Sequence, residues 1–334
     1  MRFKVGSTIM VLISTLVLLA GCASSSNENT ATDESTTGSS DEVRTFTHPL
    51  GTLELKDTPK RIVTLDFNYT EDLLALGIQP VGVADIASKT GFNTIVNIEP
   101  ALDPTVTDVG GRQEPNLEKI AELKPDLILT NVYFAKKNYG MLQDIAPTMV
   151  FDPYPPEGKD QYEEMIETFR TIADMVDRKD EAEQQLKALQ TVYDEAKVKL
   201  KDAGIEGNDI VLAQLMPGQS GPTIMLFTDN SQGVNILEKI GLNNVYDSGK
   251  FEQLGGTATN VEALTDLQQA EFIYINTDSS GGLERQLQEN ALWKGLEFVK
   301  QNRVYPLDRQ IWGYGGPISA KLLVQETVKA IIKQ

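Results

Sequence analysis

Asn116-Leu117-Glu118-Lys119-Ile120-Ala121-Glu122-Leu123-Lys124-Pro125-Asp126-Leu127-Ile128 has a counterpart in the second half of the chain. It is Asn260-Val261-Glu262-Ala263-Leu264-Thr265-Asp266-Leu267-Gln268-Gln269-Ala270-Glu271-Phe272-Ile273. Each stretch opens on Asn, whose side chain can accept from the free amides of a helix's first turn. Each then sets apolar residues at helical spacing, breaks, and enters a β-type run, Leu127-Ile128-Leu129 or Phe272-Ile273-Tyr274-Ile275. One inserted residue in the turn separates the two. Arg61-Ile62-Val63-Thr64-Leu65 ahead of the helical Thr70–Leu76 repeats the alternation, and Asp209-Ile210-Val211-Leu212-Ala213 reopens it in the second half. Strand and helix alternating in both halves predict an α/β fold of two lobes with mainly parallel sheets.

Between the halves, Ala182, Leu186, Leu189, Tyr193, Ala196 and Leu200 step by three or four on a Lys/Glu/Gln/Asp-coated segment. That is one apolar stripe on a long helix, with Asp180 as expected N-cap and Gly204 as expected stop. It predicts a rigid linking helix over 179–204, after a separate helix from Gln161 to Val176. The lobes are then 44–178 and 205–334. A two-stranded coiled coil is the weaker alternative, since the stripe runs for only about three heptads.

The N-terminus says where the chain resides. Arg2 and Lys4 precede an uncharged run rich in Leu, Ile and Val that ends at Leu19-Ala20-Gly21-Cys22. This reads as a signal peptide over 1–21, too short and wrongly flanked for a spanning helix. Cys22 is the only cysteine, and a lone free thiol is unusual in an exported chain. Residues 22–43 then form a tether of Ser, Thr, Asn, Gly, Asp and Glu that buries too little apolar surface to fold. One Cys and one His (His48) leave neither a disulfide framework nor the usual zinc or copper site. The formal net charge of −18, or −20 without Arg2 and Lys4, argues against nucleic acid or anionic lipid surfaces as partners.

With these pieces in place, the chain resembles the siderophore-binding lipoproteins of bacterial ABC importers, whose fold is the class III periplasmic-binding-protein type. Leu-Ala-Gly-Cys resembles a lipobox, in which Cys22 is lipidated and begins the mature chain. Pro59-Lys60-Arg61-Ile62-Val63, Leu76-Gly77-Ile78-Gln79-Pro80-Val81-Gly82-Val83 and Gly111-Arg112-Gln113-Glu114-Pro115-Asn116 look like this family. Ile311-Trp312-Gly313-Tyr314-Gly315-Gly316-Pro317 resembles ferric-hydroxamate binders, whereas Val109 to Pro147 looks more like ferric-citrate binders. The resemblance implies a monomeric, lipid-anchored protein on the outer face of the cell membrane, of the Gram-positive kind. It would capture a ferric siderophore between its lobes and deliver it to a permease, with no cofactor and no protein-bound metal. Both aromatic and basic candidates occur, which favours ferric citrate or a citrate-hydroxamate. Cobalamin or haem binding is the alternative within the fold. An exported enzyme is the alternative outside it, and no nucleophile elbow, P-loop, zinc cluster or dinucleotide fingerprint supports one.

On this resemblance the ligand residues are Arg112, Trp312 and Tyr314, with Arg309 available to neutralise an anionic chelate. The guanidinium fork of Arg112, after two glycines, suits carboxylate or hydroxamate oxygens. Weaker candidates are Tyr69, Lys89, Tyr133 and Tyr246, for which packing or plain exposure is the competing reading. Glu118 and Glu262 hold one position in the repeated unit, near a helix start where a carboxylate is favoured in any case. In the family the matching pair docks onto the permease.

Overall fold

The computed structural model describes residues 43–332 apart from 89–90, 96–97, 219–220, 279 and 308–309. The signal peptide, almost all of the tether, and the candidates Cys22, Lys89 and Arg309 lie outside the described residues.

The first lobe opens with an antiparallel hairpin, β1 (Arg44–His48) and β2 (Gly51–Leu55). At its tip His48 is buried, accepts from the Leu50 amide through Nδ1 and faces the Tyr139 hydroxyl through Nε2. Burial lowers its pKa, so it is a neutral packing residue. The sheet that follows contains β3 (Ile62–Thr64), β4 (Gly82–Val83), β5 (Thr107–Asp108), β6 (Leu127–Asn131) and β7 (Thr148–Phe151). Their order is β5-β4-β3-β6-β7, and every neighbouring pair is parallel. Strands β3, β6 and β7 are buried throughout, as a sheet covered on both faces requires.

The second sheet contains β8 (Asp209–Pro217), β9 (Pro222–Phe227), β10 (Asn243–Asn244), β11 (Gly256–Thr259), β12 (Glu271–Asn276) and β13 (Val304–Leu307). The order β11-β9-β8-β12-β13 has β10 joined to the start of β8. Pairs β8–β10, β8–β12 and β12–β13 are parallel, while β8–β9 and β9–β11 are antiparallel because β8 and β9 form a hairpin. The repeated unit feeds β6 in one sheet and β12 in the other, both fourth of five in their orders.

The two copies of that unit are wound differently. Leu117–Glu122 is an α-helix whose N-cap, Asn116, accepts from the Lys119 amide at 3.0 Å. Val261–Asp266 is a 3₁₀-helix, and the Asn260 side chain makes no capping bond, against the sequence reading. Thr265 returns its hydroxyl to the Glu262 carbonyl three residues earlier, a contact that suits the tighter winding.

The linking helix runs Lys179–Asp202 and stops as expected, with Gly204 at φ +72°. Asp180 is not its cap. Arg178 occupies that position without a side-chain capping bond, and Asp180 lies in the first turn, where its charge suits the helix dipole. The apolar stripe is divided between the lobes. Ala182 and Leu186 pack with the first lobe's core, while Leu189, Tyr193, Ala196 and Leu200 belong to the second's. The preceding helix, Gln161–Met175, does the reverse. Phe169, Ile172, Ala173 and Met175 join the first core, and Met165 joins the second.

Candidate functional site

The loops that carry the candidates follow the carboxyl ends of parallel strands, where open α/β sheets place their sites. Asp66 follows β3 and caps the helix Phe67–Ala75, accepting from the Phe67 amide at 2.7 Å. Arg112 follows β5, on a turn closed by the bridge between Gly110 and Pro115. Gly110 takes φ +93° there, and an added Cβ would press on the Asn116 amide nitrogen at 3.1 Å. Tyr133 and Phe134 follow β6 in the short helix Val132–Ala135, and Tyr154 follows β7. Trp312 and Tyr314 arrive from the second lobe, beyond β13.

These side chains meet. The Arg112 guanidinium carbon lies 4.0 Å from the Phe67 ring centroid, 5.6 Å from that of Phe134 and 5.9 Å from that of Trp312. Its Nη1 donates to Asp66 Oδ1 at 3.3 Å. Asn131 fixes the other side of Asp66. Its Nδ2 donates to Asp66 Oδ2, and its Oδ1 accepts from the Phe134 amide at 2.9 Å. Burial raises the Asp66 pKa, with Arg112 and the amides of Asn131 and Phe67 opposing that rise only in part. Three donors aimed at one carboxylate favour its ionised form against that burial.

Trp312 donates from Nε1 to Asn68 Oδ1 at 2.8 Å and meets Tyr314 edge-on at 5.4 Å between centroids. Tyr314 also touches Tyr154 and Phe227, and Tyr154 touches Tyr133. Gln253 Nε2 from the second lobe bonds the Tyr133 hydroxyl and the Tyr154 carbonyl, each at 3.3 Å. Burial pushes the Tyr314 pKa up to about 12 and raises that of Tyr154 further, so both phenols stay neutral hydrogen-bonding groups.

Of the sequence candidates, the structure thus brings Arg112, Trp312, Tyr314 and Tyr133 into one aromatic cluster spanning both lobes, with the Arg112 guanidinium among its rings. Tyr69 is not on its surface. It is 1% exposed, packs on Phe151 in the first lobe's core, and lines a cavity of about 30 Å³ beneath Tyr314. Tyr246 packs against the second lobe's core, with its carbonyl held by Asn244. Glu118 and Glu262 are both exposed, each in the first turn of its short helix. Sequence reasoning missed Asp66, Phe67, Asn131, Phe134 and Tyr154. Their one available signal was position, immediately after a run of β-type residues.

A second buried group joins the lobes below this cluster. Glu71 accepts from the Ser319 amide at 2.7 Å and its hydroxyl at 2.5 Å, at the first turn of the helix Pro317–Ile332. Asp72 is buried beside it, and a Cβ on Gly316 would lie 2.3 Å from Asp72 Oδ1. Burial raises both pKa values, and the charge of Glu71 raises that of Asp72 further.

Two α/β lobes on a shared helix, with a cluster of aromatic and basic side chains between them, define a two-lobed binding protein. The chain belongs to the periplasmic binding protein family, which it matches over residues 62–311. It is 29% identical over 330 residues, 98% of this chain and 97% of the other, to the Fe(3+)-citrate-binding protein YfmC of Bacillus subtilis (strain 168). YhfQ of the same organism, named as an ABC transporter substrate-binding lipoprotein, is 32% identical over 91% of this chain and 90% of its own. Among solved structures, the Fe3+–Desferal-bound siderophore-binding protein FhuD of Vibrio cholerae superposes with a TM-score of 0.72 at 28% identity. That match covers 82% of this chain and 98% of FhuD.

Proposed function

We propose that this chain is the substrate-binding component of an ABC importer, and that it captures a ferric siderophore between its lobes. It is held outside the cytoplasmic membrane by lipid on Cys22, and its loaded form docks on the permease through Glu118 and Glu262. The observation that carries the reading is the Arg112 fork set among rings from both lobes. Iron already wrapped in a chelator asks the protein for shape, stacking and a few donors rather than for metal ligands. The names of YfmC and of FhuD support citrate and hydroxamate chelates respectively.

The test is fluorescence titration of the detergent-solubilised chain with ferric citrate, Fe3+–Desferal, a catecholate chelate, haem and cobalamin. Trp312 lies within the site, so a bound ferric chelate quenches it. We expect saturable quenching by a ferric chelate at submicromolar concentration. Arg112→Ala should weaken it by about ten- to a hundredfold, the worth of one or two charge-assisted hydrogen bonds. A response to haem or cobalamin alone would overturn the ligand class.

A further inference from the structure

The second lobe reaches across to the first on either side of Tyr314. On one side Trp312 donates to Asn68. On the other, Gln253 donates to Tyr133 and to Tyr154. Trp312 is itself one of the rings proposed to meet the chelate. Gln253 is not, and its loop is built to present it. Ahead of β11, the Glu252 carbonyl accepts from Asn230 Nδ2 at 2.8 Å and from the Gly255 amide at 2.7 Å. The Gly255 carbonyl accepts from the Thr228 amide at 3.0 Å, and the Gln253 carbonyl from Gln161 Nε2 at 3.3 Å. Gly255 takes φ +77°, and a Cβ there would lie 2.7 Å from Gln161 Nε2 and 2.9 Å from Ser231 Cβ. Glycine is what lets the loop settle on these groups.

With its backbone held on both sides, the exposed Gln253 aims its amide at the first lobe. Tyr154 offers a carbonyl, which only accepts, so Nε2 must face it. One Nε2 hydrogen then serves Tyr154 and the other Tyr133, while the Tyr133 hydroxyl donates to Asp152. Both Nε2 bonds measure 3.3 Å, at the long end for N–H···O. Such bonds resist separation of the lobes without preventing it.

Resting on the proposed siderophore function, we infer that Gln253 is a positioning residue. It latches the second lobe onto Tyr133 and Tyr154, and so sets how long a bound chelate is retained rather than how fast it is captured. Contacts made after encounter act chiefly on release.

Stopped-flow fluorescence on the detergent-solubilised full chain reads the two rates separately, with Fe3+–Desferal, ferric citrate and a ferric catecholate as probes. Gln253→Ala should speed dissociation about five- to tenfold, the worth of one or two such bonds, and leave association within about twofold. Gln253→Glu keeps the length but sets a carboxylate against the Tyr154 carbonyl and Asp152, so it should speed release at least as much. Tyr133→Phe removes one acceptor, and combined with Gln253→Ala it should fall short of the product of the two single effects. Unaltered release in Gln253→Ala, wild-type retention in Gln253→Glu, fully multiplicative effects in the double variant, or a change confined to association each overturns the latch while the parent reading stands. Quenching of the wild-type chain by none of the three chelates removes the parent reading and the latch with it.

Discussion

Tyr69 and Tyr314 show how one residue type serves two ends. Both looked alike in sequence, a tyrosine near a strand or among glycines. Tyr314 closes against three other rings between the lobes, whereas Tyr69 is sealed in the core with a hydroxyl that has no hydrogen-bond partner among the described residues. A buried hydroxyl without a partner costs its lost hydration, so Tyr69→Phe should leave chelate affinity unchanged and raise stability by about 1 kcal/mol. Titration and urea unfolding of that variant check both halves. Arg112, Trp312 and Tyr314 were legible because glycines around them break any core periodicity and leave a bulky or charged side chain unexplained. Asp66 and Asn131 were not legible. A short polar residue after a strand reads as a helix cap, which each of them also is, and only the fold reveals that one holds the other.

Among the elements, the helix Phe67–Ala75 carries the least predictable feature, two adjacent acids buried against the start of the helix Pro317–Ile332. In sequence, Glu71-Asp72 is an ordinary charged pair on a helix near the surface. The sign of its effect on stability follows from burial. The folded state holds the Asp72 proton to higher pH than the unfolded chain does, since burial first and Glu71 second oppose its charge. Stability from this group is thus greatest below the ordinary carboxylate range and falls as pH rises through the raised folded value. Asp72→Asn removes that loss. Its stability should match the wild type near pH 4, then exceed it by up to about 1.4 kcal/mol per pH unit until Asp72 has ionised. Urea unfolding across that range reads the difference, and parallel curves would refute it. The linking helix, by contrast, was legible almost to its ends, since a stripe of six apolar residues over many turns permits few other folds. The hairpin of β8 and β9 escaped notice because it breaks the alternation of strand and helix.

At the scale of the molecule, the repeated unit puts one exposed acid on each lobe, Glu118 and Glu262. Under the proposed docking, Glu118→Ala combined with Glu262→Ala should abolish iron uptake by cells while the purified protein keeps its chelate affinity. Lost affinity in the purified double variant would instead tie these acids to the binding site. The division of core residues between the lobes has a consequence of a different kind. Ala182 and Leu186 on the linking helix complete the first core, and Met165, upstream of it, completes the second. No cut across this region frees a lobe with its interior intact, so neither half can serve as a portable module. Recombination among relatives that exchanged a single lobe would tear both interiors, and new ligand preferences must instead arise by substitution in the loops.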